Sequence, residues 1–177
     1  MIEYRIKLCW KMFDIYSILQ LFLLGITSGA VSTTVMSIFE IIPWKRWGIE
    51  GVYEWHENQI LVKKYFKDIF SREDTLNFKG IFLLHYINGI LGSITYVFLI
   101  WYLIEGGMIG DSFSNLFMAG IVYAIFLWAV TLFPIHKPIT GRDPLKHPLG
   151  YGPLFYSLTG HFIYAIVLSI WVWVFIL

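Results

Sequence analysis

Cysteine is almost missing from this 177-residue chain. Cys9 stands alone, which excludes an internal disulfide and any Cys-rich metal or iron–sulfur motif. Charge is scarce as well, at 14% of residues, where soluble domains carry about a quarter. The 13 basic residues are scattered among 12 acidic ones with no basic tail or stripe, so nucleic-acid binding has no electrostatic footprint. The chain has no Gly-rich phosphate loop, and no charge near the middle of an apolar run of the kind ion-coupled transporters use. His56-Glu57 opens like the HExxH helix of metalloproteases, but Ile60 stands where the second histidine is required.

What fills the sequence instead is apolar, 58% hydrophobic and 19% aromatic. These residues gather into four blocks, about 15–43, 80–104, 113–133 and 154–177, none with Lys or Arg inside its apolar stretch. A helix needs about 20 residues to cross a bilayer, and backbone groups in lipid must pair internally, so each block reads as a spanning helix. The first would run about 43 Å at 1.5 Å per residue, which implies tilt or protrusion. It is also too long for the apolar core of a signal peptide, so the N-terminus is expected to be retained.

Loop 44–79 carries seven Lys and Arg and loop 134–153 carries three, against three (Arg5, Lys7, Lys11) on the other side. The positive-inside rule therefore places a multi-pass protein in the cell membrane with both long loops cytoplasmic and both termini outside. Within the first loop, Leu61, Val62, Tyr65, Phe66, Ile69 and Phe70 share one helical stripe, with Lys63, Lys64, Lys67 and Asp68 around the rest. That pattern predicts an amphipathic interfacial helix over about 51–70, lying at the headgroups or docking a partner. Met1 to Asp14 repeat the pattern more weakly. Five of the six prolines fall in the second loop with Gly141, Gly150 and Gly152, predicting an irregular, stiff connection. The run from His136 to His147 offers imidazoles and cations that could hold a phosphate or lipid headgroup, or could simply be solvated loop.

His85-Tyr-Ile-Asn-Gly-Ile-Leu-Gly-Ser-Ile94 matches His161-Phe-Ile-Tyr-Ala-Ile-Val-Leu-Ser-Ile170 at five of ten positions, the histidine included. Leu21, Phe22, Gly25, Ile26 and Pro43 stand likewise against Leu116, Phe117, Gly120, Ile121 and Pro138. The two hairpins thus read as weak duplicates, with His85 and His161 as symmetry mates about 10 Å deep from the loop-bearing face. The expected fold class is all-α: a polytopic membrane protein, a four-transmembrane-helix bundle of two weakly repeated hairpins plus the interfacial helix, in one domain 1–177.

Ionisable side chains in a membrane are costly and face the bundle interior or a partner. Glu40 reaches the level of His85 and His161, at the end of a stripe of small and polar residues (Gly25, Ser28, Gly29, Ser32, Thr33, Met36). That stripe is expected to pack on His85, Asn88, Gly89, Gly92 and Tyr96 of the second block, since small residues let helices approach closely. Three uses of the histidines stay open. His85 and His161 could ligate haem b iron from two sides; Glu40, His85 and His161 could hold a transition metal; or each histidine could only bond a neighbouring acceptor and fix helix register.

The stretches Gly25-Ile-Thr-Ser-Gly-Ala-Val-Ser-Thr-Thr-Val-Met-Ser37, His85-x-x-x-Gly89-x-x-Gly92 and Gly160-His-x-x-Tyr164 resemble the YagU-like group of small prokaryotic membrane proteins. The resemblance covers the four helices but not the long first loop, and Ala165 and Leu168 stand where the group would have glycines. It implies a four-helix membrane fold and no particular reaction. Lacking a complete catalytic set, and rich in aromatic surface, the chain is expected to be a non-catalytic accessory subunit of a larger membrane enzyme complex, respiratory or monooxygenase-type. Its partners would be the lipid bilayer and other membrane subunits. The alternative is a b-type haem or metal-binding membrane protein using His85 and His161.

Overall fold

The computed structural model of the protein describes residues 15–66, 69 and 76–176; the weak amphipathic pattern of Met1 to Asp14 lies outside them. Among the described residues the regular structure is all helical: α1 (Ile15–Trp47), α2 (Tyr53–Tyr65), α3 (Phe78–Glu105), α4 (Phe113–Val130), α5 (Lys137–Thr140) and α6 (Gly152–Ile176). Four helical stretches are long and apolar enough to cross a membrane: Ile18–Gly51, Phe78–Glu105, Phe113–Thr140 and Gly152–Phe175.

Two of the expected ends move. The first helix does not stop at Pro43 but continues to Trp47, with Lys45 and Arg46 in its last turn, where cations meet the negative end of the helix dipole. The third does not stop at Phe133. After α4 the chain passes through a π-helical turn, Thr131–His136, containing Pro134, and then into α5. A π turn relieves the crowding a proline imposes on the preceding turn and rotates the next stretch of helix about the axis. The left-handed Gly141 (φ 72°) ends the run. The proline-rich loop is therefore more helical than its composition suggests. Pro138 and Pro144 sit at the first positions of short helices, where a missing N–H costs nothing.

Close approach of small residues sets the packing. On α1, Gly29 lies so near α3 that a Cβ would come within 2.7 Å of the Ile90 Cα, and a Cβ on Gly89 of α3 would strike Thr33. Ser28 and Ser93 close the same contact with a hydrogen bond of 2.7 Å. On the other hairpin Gly120 of α4 faces Ser169 of α6, and Tyr96 of α3 donates to the Leu116 carbonyl across 2.8 Å. α1 packs along both α3 and α6, and α6 along α4, whereas α3 and α4 meet only sparsely. The helices consequently form a row that leaves a slot between α3 and α4. Buried Met36, Tyr96, Val97, Leu116, Tyr164 and Leu168 make the main apolar core beside it.

Helix α2 lies against α3, α5 and α6 at the loop-bearing end. Of its expected apolar stripe Val62 is buried, in contact with Gly80, while Tyr65 and Ile69 are exposed. The face it turns into the protein is mostly polar: Glu54, Glu57, Asn58 and Gln59 are all buried beside Tyr53 and Trp55. Asn77 fixes the start of α3, its side chain accepting from the Gly80 N–H at 2.9 Å.

Candidate functional site

Glu54, Glu57 and Asn58 stand at positions i, i+3 and i+4, which puts them on one face of α2. Each of the two carboxyls meets an imidazole, and Glu40 of α1 meets a third. Glu57 Oε1 lies 2.8 Å from His136 Nδ1; Glu54 Oε1 lies 3.6 Å from His161 Nδ1; and Glu40 Oε2 lies 3.2 Å from His85 Nε2. All six side chains are buried. Burying ionisable groups is tolerable only when they are paired or neutral, and here every carboxyl has a ring beside it.

Each pair is held differently. Glu54 accepts the Ser157 hydroxyl at 2.7 Å, while His161 Nδ1 lies 2.9 Å from the Ser157 carbonyl. A carbonyl only accepts, so Nδ1 carries a proton toward it. Glu40 accepts the Trp55 indole N–H at 2.7 Å. Its contact with His85 is close but off the line of a hydrogen bond. His136 is delivered to Glu57 by the π turn and is wholly buried, its ring edge-on to Tyr53 with centroids 4.6 Å apart.

Burial, reinforced by the nearby Glu54 carboxylate, pushes the Glu57 carboxyl up to about 9. Glu57 is thus a neutral acid at physiological pH, able to donate as well as accept. Burial also raises the Tyr53 phenol to about 12, and its hydroxyl donates to the Pro144 carbonyl at 3.1 Å. Desolvation lowers His56 and His147 from the ordinary imidazole range, so both are neutral rings.

Glu57 borders a cavity of about 460 Å³ in the slot between α3 and α4. Glu54, Glu57, Asn58, His85 and His161 line its polar end, and Leu91, Phe126, Leu127, Val130 and Ile135 its apolar walls. Leu91 and Phe126 are themselves exposed on the outer surface of the helices. A second depression, of about 720 Å³, lies towards the opposite end among α1, α3 and α6; it contains Glu105 but no imidazole.

Of the residues the sequence singles out, Glu40 and His85 come together and His85 and His161 share the cavity. His161 pairs with Glu54 rather than Glu40. Among the described residues no three His, Cys, Asp or Glu side chains converge as ligands for a metal ion. His85 turns Nε2 toward Glu40, so holding haem iron through that nitrogen would require the ring to leave its carboxylate. The sequence pattern does not mark Glu54, Glu57 and His136 as partners in such pairs. The one available signal is the i, i+3, i+4 spacing of polar residues, in a helix whose apolar stripe is the more conspicuous pattern. No family model, curated protein or solved structure matches the chain.

Proposed function

We propose that this membrane protein binds a membrane-soluble amphiphile in the cavity between α3 and α4 and exchanges protons with its polar end. The supporting observation is the cavity itself: an acidic and imidazole-bearing end joined to apolar walls, at the place where two spanning helices part. Ligand sites are generally concave and mostly apolar with a few convergent polar groups, and this one matches that pattern. An apolar body would lie against Leu91, Phe126 and Val130, with a hydroxyl, carbonyl or amine reaching Glu54, Glu57 and His161. His161, whose Nδ1 is held by the Ser157 carbonyl, would offer Nε2 to the ligand, and neutral Glu57 would supply a proton, a pairing suited to general acid–base work.

In this reading the two hairpins, α1 with α3 and α4 with α6, are weak duplicates; close glycine contacts within each hairpin support this. The long loops face the cytoplasm, as the charge bias suggests, and the YagU-like resemblance is retained for the helices alone.

The test is mass spectrometry of organic extracts from protein purified in mild detergent. Gly92 lines the cavity, and a Cβ there has only ordinary contacts, the nearest 3.4 Å from the Tyr164 hydroxyl. Gly92→Leu should plug the cavity without touching the carboxyl–imidazole pairs. A molecule enriched with wild type and lost in Gly92→Leu is expected; identical extracts from both would refute the reading.

A second reading, an accessory subunit of a larger membrane enzyme, is favoured by large apolar residues exposed outside the spans: Tyr65, Ile69, Leu145 and Tyr151. Native purification decides it, since a chain migrating alone from its own membrane would count against it.

A further inference from the structure

Resting on the cavity as a proton-exchanging site, we propose that Glu57, His136 and His56 form a proton path from the loop-bearing face to the cavity floor. The three groups are in sequence spatially. Glu57 lines the cavity and touches His136 Nδ1 at 2.8 Å. The His56 ring stands edge-on to His136 with centroids 6.2 Å apart, and His56 is half-buried. Each ring keeps an unpaired nitrogen: His136 Nε2 and His56 Nδ1 are both buried and have no hydrogen-bond partner among the described residues. Two hydrogen bonds of ordinary length through one water span up to about 5.5 Å, a reach comparable with the separation of the two rings.

The Glu57–His136 contact admits two neutral arrangements. In the first, the acid proton sits on Oε1 and is donated to Nδ1, leaving the ring proton on Nε2. In the second, the acid proton sits on Oε2, and Nδ1–H donates to Oε1, leaving Nε2 with a lone pair. Passing from the second to the first releases the Oε2 proton to the cavity, shifts the Nδ1 proton to Oε1, and takes up one proton at Nε2 from the His56 side. One proton enters the cavity for each taken from the loop face, and the pair is neutral before and after. A turn of the carboxyl that carries its proton from Oε1 to Oε2, and a tautomer change of the ring from Nε2–H to Nδ1–H, reset the pair for the next proton; a simple reversal would only return the proton to the loop face. No isolated charge is buried in either resting state, which is what a low-dielectric interior requires.

The surroundings suit a conduit better than a fixed ion pair. Glu54 and its partner His161 lie on the cavity side of Glu57, and Tyr53 packs against both His136 and His147. At the loop end, Arg142 is paired with Glu50 at 2.7 Å, and both act electrostatically on His56, in opposite senses. The Arg142 cation disfavours a trapped imidazolium there and so favours onward transfer. Buried rings that served only to fix register would need no unpaired buried nitrogens.

The path is tested by infrared spectroscopy of purified protein in nanodiscs transferred to D₂O near neutral pH. The carbonyl stretch of the protonated Glu57 carboxyl is assigned by its loss in Glu57→Gln, and its isotope shift reports proton exchange. Exchange should be fast in the wild type and slow by roughly a hundredfold in His136→Phe or His56→Phe, the scale of a lost proton-transfer group. His136→Gln serves if the phenylalanine variant does not fold. Unchanged exchange in these variants, or absence of a protonated Glu57 band, overturns the path. Failure of an amphiphile to co-purify would overturn the cavity reading while leaving the exchange measurement interpretable.

Discussion

Replacing Glu57 by Gln should stabilise the protein, and by an amount that grows with pH. The glutamate is buried and its carboxyl is raised from the ordinary 4.5 to about 9, first by desolvation and then by the Glu54 carboxylate. Below pH 4.5 the group is protonated whether the chain is folded or unfolded, and it contributes no pH dependence. Between 4.5 and 9 the unfolded carboxyl is ionised while the folded one holds its proton, so folding must take one up, and stability falls as pH rises through that window; above 9 the loss is complete. At pH 7 the gap of 2.5 units between 4.5 and 7, at about 1.4 kcal/mol each, costs about 3 kcal/mol. Glutamine is nearly isosteric, can still donate to His136 Nδ1, and carries no such cost. The assay is thermal unfolding in mild detergent, followed by tryptophan fluorescence from pH 4.5 to 8. The Glu57→Gln protein should match wild type near pH 4.5 and exceed it by about 3 kcal/mol at pH 7. A loss of stability at neutral pH would refute the reasoning, because it would mean that Glu57 is ionised and paired with a charged His136.

Two further substitutions test the packing. Gly29→Ala places a methyl 2.7 Å from the Ile90 Cα, a backbone atom that cannot step aside, so α1 and α3 must part at a cost of about 1–3 kcal/mol. A thermal scan showing no loss would mean that the two helices are not in contact there. Asn77→Ala removes the side-chain acceptor for the Gly80 N–H and should cost about 1 kcal/mol, with hydrogen exchange rising in the first turn of α3. Exchange rising evenly along α3 would show that Asn77 does not act as a local cap.

The four long apolar helices were legible because an uncharged apolar run long enough to cross a bilayer satisfies its own backbone only as a helix. Their inner faces were partly legible too, since Gly25, Ser28, Gly29 and Thr33 carry the small-residue spacing that close packing uses, and these residues do meet α3. Helix ends were less so. Pro43 and Pro134 look like terminators in one dimension, yet α1 runs past the first and a π turn absorbs the second. The cost of a proline is local, and packing on either side outweighs it.

The sequence by itself determined the number of helices long and apolar enough to cross a membrane and the presence of ionisable residues at one end. Apolar length and charge avoidance are sums over neighbouring residues, and such sums survive without coordinates. Which carboxyl faces which imidazole was decided only by tertiary structure. Glu54 and His161 are far apart in the chain, and nothing local couples them; they meet because α2 folds its polar face inward against α3 and α6. The cavity is likewise a property of packing, present because α3 and α4 fail to close on each other while the other helices do.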